Sequence, residues 1–260
     1  MTRIVSRWHR VAAAVGVLAL LVLACVAGVV LEQARRSRDP ALRETRLRRR
    51  IEVTCDLLGR NAQGYLEFRH QSTGIVLVWI PGVAEQRRAG EDRQRGIERD
   101  EILIAKYEVS QREWEEVMGP RSIREADDLL PAANVSWDDC AEFCRRTGLD
   151  FPAESEWERC CDGAPAGRGC ASVRRVDGGE PNGFGLHNVF GNVSEWCAAD
   201  ARDPTSEPRE WVASDWSDSP RAKPTRGGGL DFPRPCRVGL VADRADANPW
   251  NGFRPVLRVR

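Results

Sequence analysis

Helical periodicity ends near Gly163, and this change most constrains what the chain can fold into. Beyond that point Gly, Pro, Asp and Trp dominate the sequence. Such a composition is typical of short strands and long loops that pack around aromatic side chains. We find no internal repeat and no low-complexity segment. The sequence therefore predicts an α+β fold in one loop-rich domain.

The first half of the chain contains the segments with regular patterns. An apolar run over residues 75–80 is bounded by Gly74 and Pro81, and it predicts a buried strand. The run over residues 102–109 alternates between apolar and polar positions, so it predicts a second strand. Residues 85–100 are polar and charged, which indicates a surface loop.

Two capping boxes predict where helices begin. Ser110 is followed three residues later by Glu113, and Ser136 is followed at the same spacing by Asp139. A third short helix is predicted over residues 153–161. Three carboxylates lie on or near its first turns, where the helix dipole favours negative charge. We interpret them as capping and solvated groups rather than as acid/base pairs: Glu154, Glu156 and Glu158.

An apolar run without any charged side chain covers residues 11–31. A helix of this length is about 30 Å long, enough to cross the hydrocarbon core of a bilayer. We predict a short basic tail over residues 1–10, a single transmembrane helix over 11–31, an Arg-rich linker over 32–58 in which Pro40 is a break, and the folded domain over 59–260. The protein is thus expected in a membrane as a single-pass protein.

The sequence leaves the side of the membrane open. Arg residues are more numerous after the apolar run than before it, which favours a cytoplasmic domain. The nine Cys residues favour an oxidising compartment instead, because disulfides persist there. Their pairing cannot be deduced from sequence. Cys140 and Cys144 share one helix face, and we interpret them as packing residues rather than metal ligands.

Several classes of function are disfavoured by composition. The formal net charge is zero, so no basic field predicts nucleic-acid binding. Only three His residues occur, which leaves little for a His metal site or a Ser-His-Asp relay. The glycine run at 227–229 lacks the strand-to-helix context of a phosphate loop. Dinucleotide and phosphoryl chemistry are therefore not expected.

The densest unusual segment covers residues 182–196. It combines side-chain amides, a carboxylate and glycines, and these groups supply the oxygen ligands that Ca²⁺ prefers. The same composition also describes a tight Asn/Gly turn packed against Trp196. On residue types alone both interpretations stay open, and the turn is favoured.

Eight segments, in order along the chain, resemble the sulfatase-modifying factor, or formylglycine-generating enzyme, family. They cover roughly residues 60–260, and together they are highly specific. Five of them are Asn134-Val-Ser-Trp137, Phe151-Pro-Ala-Glu-Ser-Glu-Trp157, Gly191-Asn-Val-Ser-Glu-Trp-Cys197, Arg226-Gly-Gly228 and Gly252-Phe-Arg254; the other three cover residues 61–70, 73–82 and 106–109. The resemblance implies a C-type-lectin-like fold with bound Ca²⁺.

The resemblance also implies which residues bind this ion. The matching positions are the Asn188 side chain, the backbone carbonyls of Gly191 and Val193, and the Glu195 carboxylate. With the resemblance taken into account, a Ca²⁺ site becomes the favoured interpretation of the segment.

Catalytic members of the family hold Cu(I) between two thiolates and use O₂ to oxidise a sulfatase Cys to formylglycine. Cys236 matches the second thiolate by its spacing to Arg244 and Asn248. The first would fall near Asp231 or Phe232, and neither is a Cys. Because one thiolate cannot reproduce a near-linear Cu(I) site, the resemblance implies the scaffold more strongly than the chemistry.

Three hypotheses follow for function. The first is a membrane-tethered domain that has lost the copper oxidase site and binds a protein or small-molecule ligand on its loops. The second retains an oxidase, in which Cys236 acts with another thiol such as Cys197. The third is a lectin-fold variable binding protein whose contacts lie within residues 237–251. The binding candidates in that stretch are Arg244, Asn248, Trp250 and Asn251.

Overall fold

The computed structural model describes residues 39–82, 101–121, 126–161, 172–198, 222–228, 240–245 and 247–259. The chain divides between Ile51 and Glu52 into two compact units. The second unit therefore begins at Glu52 rather than at residue 59, because the segment before residue 59 already forms part of a sheet.

The described part of the first unit is a helix, α1 (Pro40–Ile51). Pro40 begins this helix instead of breaking the linker. Proline fits the first helical position because its missing N–H would have no acceptor there within the helix. The Asp39 carboxylate accepts a hydrogen bond from the Ala41 N–H at 2.9 Å and caps the first turn.

The membrane prediction concerns residues that the structure does not describe. The predicted tail over 1–10 and transmembrane helix over 11–31 both lie outside the described residues. Within the described ranges, every helix is too short or too polar to cross a bilayer.

The second unit combines three helices with two sheets in its described ranges. In chain order its elements are β1 (Cys55–Arg60), β2 (Leu66–His70), β3 (Val76–Ile80), β4 (Ile102–Ala105), α2 (Gln111–Met118), α3 (Trp137–Thr147), α4 (Glu154–Cys160), β5 (Ser194–Trp196), β6 (Ala222–Arg226), β7 (Leu240–Asp243), β8 (Asn251–Phe253) and β9 (Val256–Leu257). The α+β prediction is confirmed.

The first sheet is antiparallel, with the order β1-β2-β3-β4-β9. The predicted strand over residues 75–80 is confirmed as β3. The predicted strand over 102–109 is only half right, because β4 ends at Ala105. Beyond it the Val109 N–H donates to the Phe253 carbonyl at the end of β8, and the Val109 carbonyl accepts from the Ala132 N–H, so the ladder with β3 does not continue. The chain therefore leaves the sheet just before Glu108.

The second sheet has the order β7-β6-β5-β8. Strands β5 and β8 are parallel and join Ser194 to Asn251, whereas the other pairs are antiparallel. These strands have three to five residues each, as the loop-rich second half predicts. The short sheet places the segment before β5 beside the turn before β8.

The first two helices of this unit begin where the capping boxes predict. In α2 and α3 the cap Ser side chain accepts from the N3 backbone, and the N3 carboxylate accepts from the cap N–H. The third helix has no side-chain cap at Ala153, but the Glu156 carboxylate accepts the Ala153 N–H at 2.7 Å.

The interpretation of the carboxylates on α4 is correct only for Glu156. Glu154 is 2% exposed, so it is not solvated, and its carboxylate binds Arg226 at 2.5 Å. Glu158 binds the same guanidinium at 2.7 Å. The sequence pattern missed these pairs because Arg226 lies on β6, far along the chain.

Apolar side chains from both sheets and α4 form the core beneath the loops. A cluster of buried residues joins β3 and β4 to the segment before β5: Val78, Ile80, Ile102, Ile104, Trp157, Cys160, Cys161, Leu186, Val189, Cys197 and Val256. A second group stacks Trp114 on Phe143 with ring centroids 5.5 Å apart, and Phe253 meets both rings edge-on. These contacts pack the segment over residues 186–197, which includes β5, against the core.

Candidate functional site

The loop that precedes β5 has an unusual backbone. Asn188, Gly191 and Asn192 have positive φ angles of 52°, 79° and 65°. Asn tolerates this left-handed region better than most residues, and Gly adopts it without strain. The Asn and Gly content of the segment is therefore a requirement of its backbone, and the loop turns back on itself beside β5.

The Asn188 side chain is oriented by three acceptors. Its Nδ2 group donates to Glu108 Oε2 at 3.1 Å, to the Val176 carbonyl at 3.1 Å and to the Arg175 carbonyl at 3.3 Å. The Oδ1 atom of the same amide is buried and has no hydrogen-bond partner. A buried oxygen without a partner is costly, so a ligand at this atom would be favourable.

Asn192 binds the same carboxylate but is fully engaged. Its Nδ2 lies 3.0 Å from both oxygens of Glu108 and 3.2 Å from the Arg174 carbonyl. Its Oδ1 accepts the Arg174 N–H at 2.9 Å. Glu108 is 1% exposed and therefore anchors two amides beneath the loop.

Glu195 lies in a buried ion pair on β5. Its carboxylate accepts from Arg254 Nη2 at 2.7 Å, from Arg254 Nε at 3.1 Å and from Trp157 Nε1 at 2.5 Å. The guanidinium also donates to the carbonyls of His187 at 2.7 Å and Ala105 at 3.0 Å. Arg254 thus connects Glu195 to the residue before Asn188, which brings the two ends of the predicted ligand set together.

Three ionisable groups are buried together in this region. Glu108 and Glu195 are carboxyl groups, and Arg254 carries a positive charge. Burial raises the pKa of Glu108 to about 8, an effect that the positive charge of Arg254 opposes. The partnerless Asn188 oxygen in the same region is the kind of oxygen that a hard cation binds.

One of the predicted calcium ligands has an oxygen that the protein leaves without a partner. Asn188 presents the partnerless oxygen, and Gly191 and Val193 are buried in the same loop. The Glu195 oxygens already accept from Trp157 and Arg254, so a cation at this carboxylate would add to an existing ion pair. The residues that would hold Ca²⁺ are Asn188, Gly191, Val193 and Glu195.

The four binding candidates lie on one connection between β7 and β8, but the structure divides their roles. The Asn248 Oδ1 accepts the Trp250 N–H at 2.9 Å, and the Asn248 carbonyl accepts the Asn251 N–H at 3.0 Å. Asn251 is 7% exposed on β8. Both residues take part in the turn, Asn251 buried and Asn248 half-buried, and their role as binding groups stays a prediction.

Trp250 and Arg244 are the accessible candidates. The Trp250 side chain is 42% exposed, and within the described ranges no other large aromatic residue is exposed. Arg244 binds Asp138 through Nε at 2.7 Å, and its guanidinium lies 5.4 Å from the Trp137 ring centroid.

The predicted copper residues fall largely outside the described residues. Cys236, Asp231 and Phe232 are all in the segment over 229–239. Cys197, the second thiol of the oxidase hypothesis, is fully buried beneath β5, and its sulfur lies 3.6 Å from the Glu195 carbonyl.

The packing interpretation of the helical thiols is confirmed. Cys140 and Cys144 are free thiols buried along α3. Burial raises the pKa of Cys144 to about 12, which suits an apolar filler rather than a reactive thiolate.

Three residues of the site were not selected from the sequence. Glu108 interrupts an apolar run, and a carboxylate in a predicted strand was the available signal. Asn192 and Arg254 belong to the motifs of the resemblance, but their spacing does not reveal that they converge on Glu108 and Glu195.

Comparison with known proteins decides the family. Residues 64–170 match the family model described as the sulfatase-modifying factor enzyme 1-like domain. Residues 64–170 thus carry a domain of the sulfatase-modifying factor type. The formylglycine-generating enzyme of Thermomonospora curvata is 28% identical over 134 residues, which are 40% of this chain and 41% of that enzyme. This match spans about two fifths of the enzyme's own length.

A longer match within the family is to a protein described as inactive. The inactive C-alpha-formylglycine-generating enzyme 2 of Bos taurus is 26% identical over 218 residues, which are 72% of this chain and 70% of that protein. Its counterpart in Mus musculus is 27% identical over 171 residues, 54% of this chain and 53% of that protein.

Solved structures agree with the fold of the family. Variable protein 1 of Treponema denticola superimposes with a TM-score of 0.52 at 18% identity and covers 70% of this chain and 94% of its own. PvdO of Pseudomonas aeruginosa gives 0.50 at 16% identity, with 78% and 98% covered. These similarities establish a formylglycine-generating-enzyme-like, lectin-type fold.

Proposed function

We propose that this protein is a membrane-tethered binding module on the sulfatase-modifying factor scaffold, and that it lacks the copper oxidase activity of that family's enzymes. The observation that carries the proposal is the exposed, rigidly held Trp250. The sequence supports the loss of chemistry, because Asp231 and Phe232 occupy the positions where a second thiolate would pair with Cys236. The long match to inactive relatives agrees with it.

The presentation of Trp250 is what a binding residue requires. Its N–H is held by Asn248, and its carbonyl accepts the Ser194 N–H at 2.7 Å. A fixed backbone lowers the conformational entropy that binding must remove. Exposed Trp residues of this kind are common hot spots, because a large apolar ring is buried when a partner docks. The proposed ligand is a protein or small molecule that covers this ring.

Calcium has a structural role in the proposal. The ion would be held by Asn188, Gly191, Val193 and Glu195, and it would give the buried Asn188 Oδ1 a partner. The same segment continues into Ser194, whose N–H holds the Trp250 carbonyl. An ion that orders residues 188–195 would therefore also order the turn that presents Trp250.

The tether in the proposal is the apolar run over residues 11–31. Its length suits a single crossing, and the Arg-rich segment that follows would lie at the headgroups.

The binding surface can be tested with a matched pair of variants. The full chain, purified in lipid nanodiscs, is used to select binders from a displayed library of random peptides. Trp250→Ala is compared with Leu57→Ala, because the two side chains are 42% and 44% exposed. We expect Trp250→Ala to weaken selected peptides at least about tenfold, since truncating a hot spot costs about 2 kcal/mol or more. Leu57→Ala should bind them as the unaltered protein does.

The outcome that contradicts the proposed surface is equally definite. If every selected peptide binds Trp250→Ala and the unaltered chain with the same Kd, the turn is not the binding surface. Thermal unfolding should be nearly the same for both variants, because the two side chains are exposed to a similar degree.

A further inference from the structure

Glu108 is a buried carboxylate that neither the predicted ligand set nor the proposed binding surface uses. It follows β4, is 1% exposed, and faces the two Asn side chains of the loop before β5. Its oxygens accept amide N–H groups from Asn188 and Asn192. A carboxylate with this little access to solvent is retained where it has a specific partner.

The two amides differ in how completely they are hydrogen-bonded. In Asn192 both ends are bonded, because Oδ1 accepts the Arg174 N–H while Nδ2 donates to Glu108. In Asn188 only the Nδ2 end is bonded, and Oδ1 remains buried without a partner. Asn188 Oδ1 is therefore available to bind a ligand that is not part of the protein.

The orientation of the Asn188 amide is imposed by its surroundings. Rotating the amide by half a turn would place Oδ1 against three oxygens, at the present distances of 3.1 to 3.3 Å from Glu108 Oε2 and the Arg175 and Val176 carbonyls. Such a contact set is repulsive, whereas an NH₂ group satisfies it. Glu108 contributes one of the three acceptors, and its oxygens also hold the Asn192 amide.

Space beside the partnerless end of the amide is kept open by a glycine. Gly179 has a φ angle of 74°, and a Cβ at this position would lie 3.2 Å from Asn188 Oδ1. A larger residue would be strained there and would crowd the oxygen. The same position would lie 3.3 Å from Arg174 Cζ, so the glycine leaves room for both the Asn188 oxygen and this guanidinium.

We propose that Glu108 is a positioning residue for calcium, which fixes the Asn188 amide so that Oδ1 rather than Nδ2 faces the ion. This inference rests on the proposed calcium site. Residues that orient metal ligands in this way typically change metal affinity roughly tenfold to a hundredfold when they are replaced.

Replacement of Glu108 by Gln tests the orientation directly. The Gln side chain would carry an NH₂ group in place of one carboxylate oxygen. That group must either meet the NH₂ group of an Asn or be accepted by a rotated Asn188 amide. Rotation satisfies the new donor but directs Nδ2 at the ion. We expect Glu108→Gln to weaken Ca²⁺ binding by at least about tenfold.

The measurement is isothermal titration of CaCl₂ into the full chain in detergent after chelator treatment. Glu113→Gln is the matched control, because Glu113 is another enclosed Glu whose capping box accepts Gln as readily as Glu. Asn188→Ala should abolish binding at this site. In the Asn188→Ala background, adding Glu108→Gln should change nothing further, since the amide it positions is gone.

The possible results separate the site from the positioning role. Weaker binding by Glu108→Gln alone, with the Glu113→Gln Kd unchanged, supports the inference. If Asn188→Ala abolishes binding while Glu108→Gln keeps the original Kd, the calcium site stands and the positioning role is wrong. If the unaltered chain takes up no Ca²⁺, both the site and the inference fail.

A second measurement avoids dependence on how well a variant folds. In the unaltered chain, the side-chain NH₂ signals of Asn188 are recorded by NMR before and after CaCl₂ is added. We expect both protons to be protected from solvent exchange in both states, because Nδ2 stays bonded to Glu108. Loss of that protection on adding Ca²⁺ would mean that the amide rotates, which overturns the inference.

Discussion

His70 ends β2 as a buried imidazole, 3% exposed, with Nδ1 2.9 Å from Thr73 Oγ1. Burial lowers the pKa of His70 from its usual value of 6.5. The unfolded chain therefore takes up this proton at a higher pH than the folded chain does. The contribution of His70 to stability is complete above about pH 6.5 and is lost as the pH falls below it.

Urea unfolding at about pH 7.5 and about pH 5.5, on either side of the usual His pKa, measures this contribution. We expect the midpoint of the unaltered chain to fall further on acidification than that of His70→Gln, which keeps a hydrogen-bonding group and does not titrate. Equal losses in both proteins would show that His70 is not a source of acid sensitivity.

At the same scale, the resemblance selected only part of the candidate site. Asn188 and Glu195 were selected because the resemblance assigns their roles, and Arg254 connects them through the His187 carbonyl. Asn251 was predicted as a binding candidate but is buried, as are all three residues of β8. Glu108 escaped notice because a single carboxylate in an apolar run has no local pattern that indicates its partners 80 residues away.

Elements that depend on local chemistry were predictable, and elements that depend on distant pairing were not. The capping boxes at Ser110 and Ser136 place the starts of α2 and α3, since the box is complete within four residues. The parallel pairing of β5 with β8 joins Ser194 to Asn251, which lie far apart along the chain. Strands of three residues carry too little periodicity to reveal such a partner.

The Glu195–Arg254 pair acts on the whole molecule because it joins the two sheets. Arg254 follows β8 in one sheet, and it donates to the carbonyl of Ala105 at the end of β4 in the other. Both charges are 1% exposed, so neither can be solvated if its partner is removed. The pair therefore couples the integrity of the loop region to the packing of the sheets.

Arg254→Met tests this coupling. We expect a loss of about 3 to 5 kcal/mol in the free energy of unfolding, because Glu195 would remain buried without compensation. Arg258→Met is the control, since its carboxylate partners Asp150 and Glu156 are more accessible and the loss of their cation should cost less. Urea unfolding of both variants measures the difference. Equal losses in the free energy of unfolding would show that the buried Glu195–Arg254 pair contributes no more to stability than the accessible pairs of Arg258.

We expect this chain to keep the scaffold of the sulfatase-modifying factor family and to lack its copper oxidase activity. The most direct test incubates the full chain with Cu(I), O₂ and a sulfatase-type Cys peptide, with the Thermomonospora curvata enzyme as positive control, and follows peptide mass. We predict that the peptide keeps its Cys, as it does with Cys236→Ser. Formylglycine formed by the unaltered chain and absent with Cys236→Ser would contradict the account.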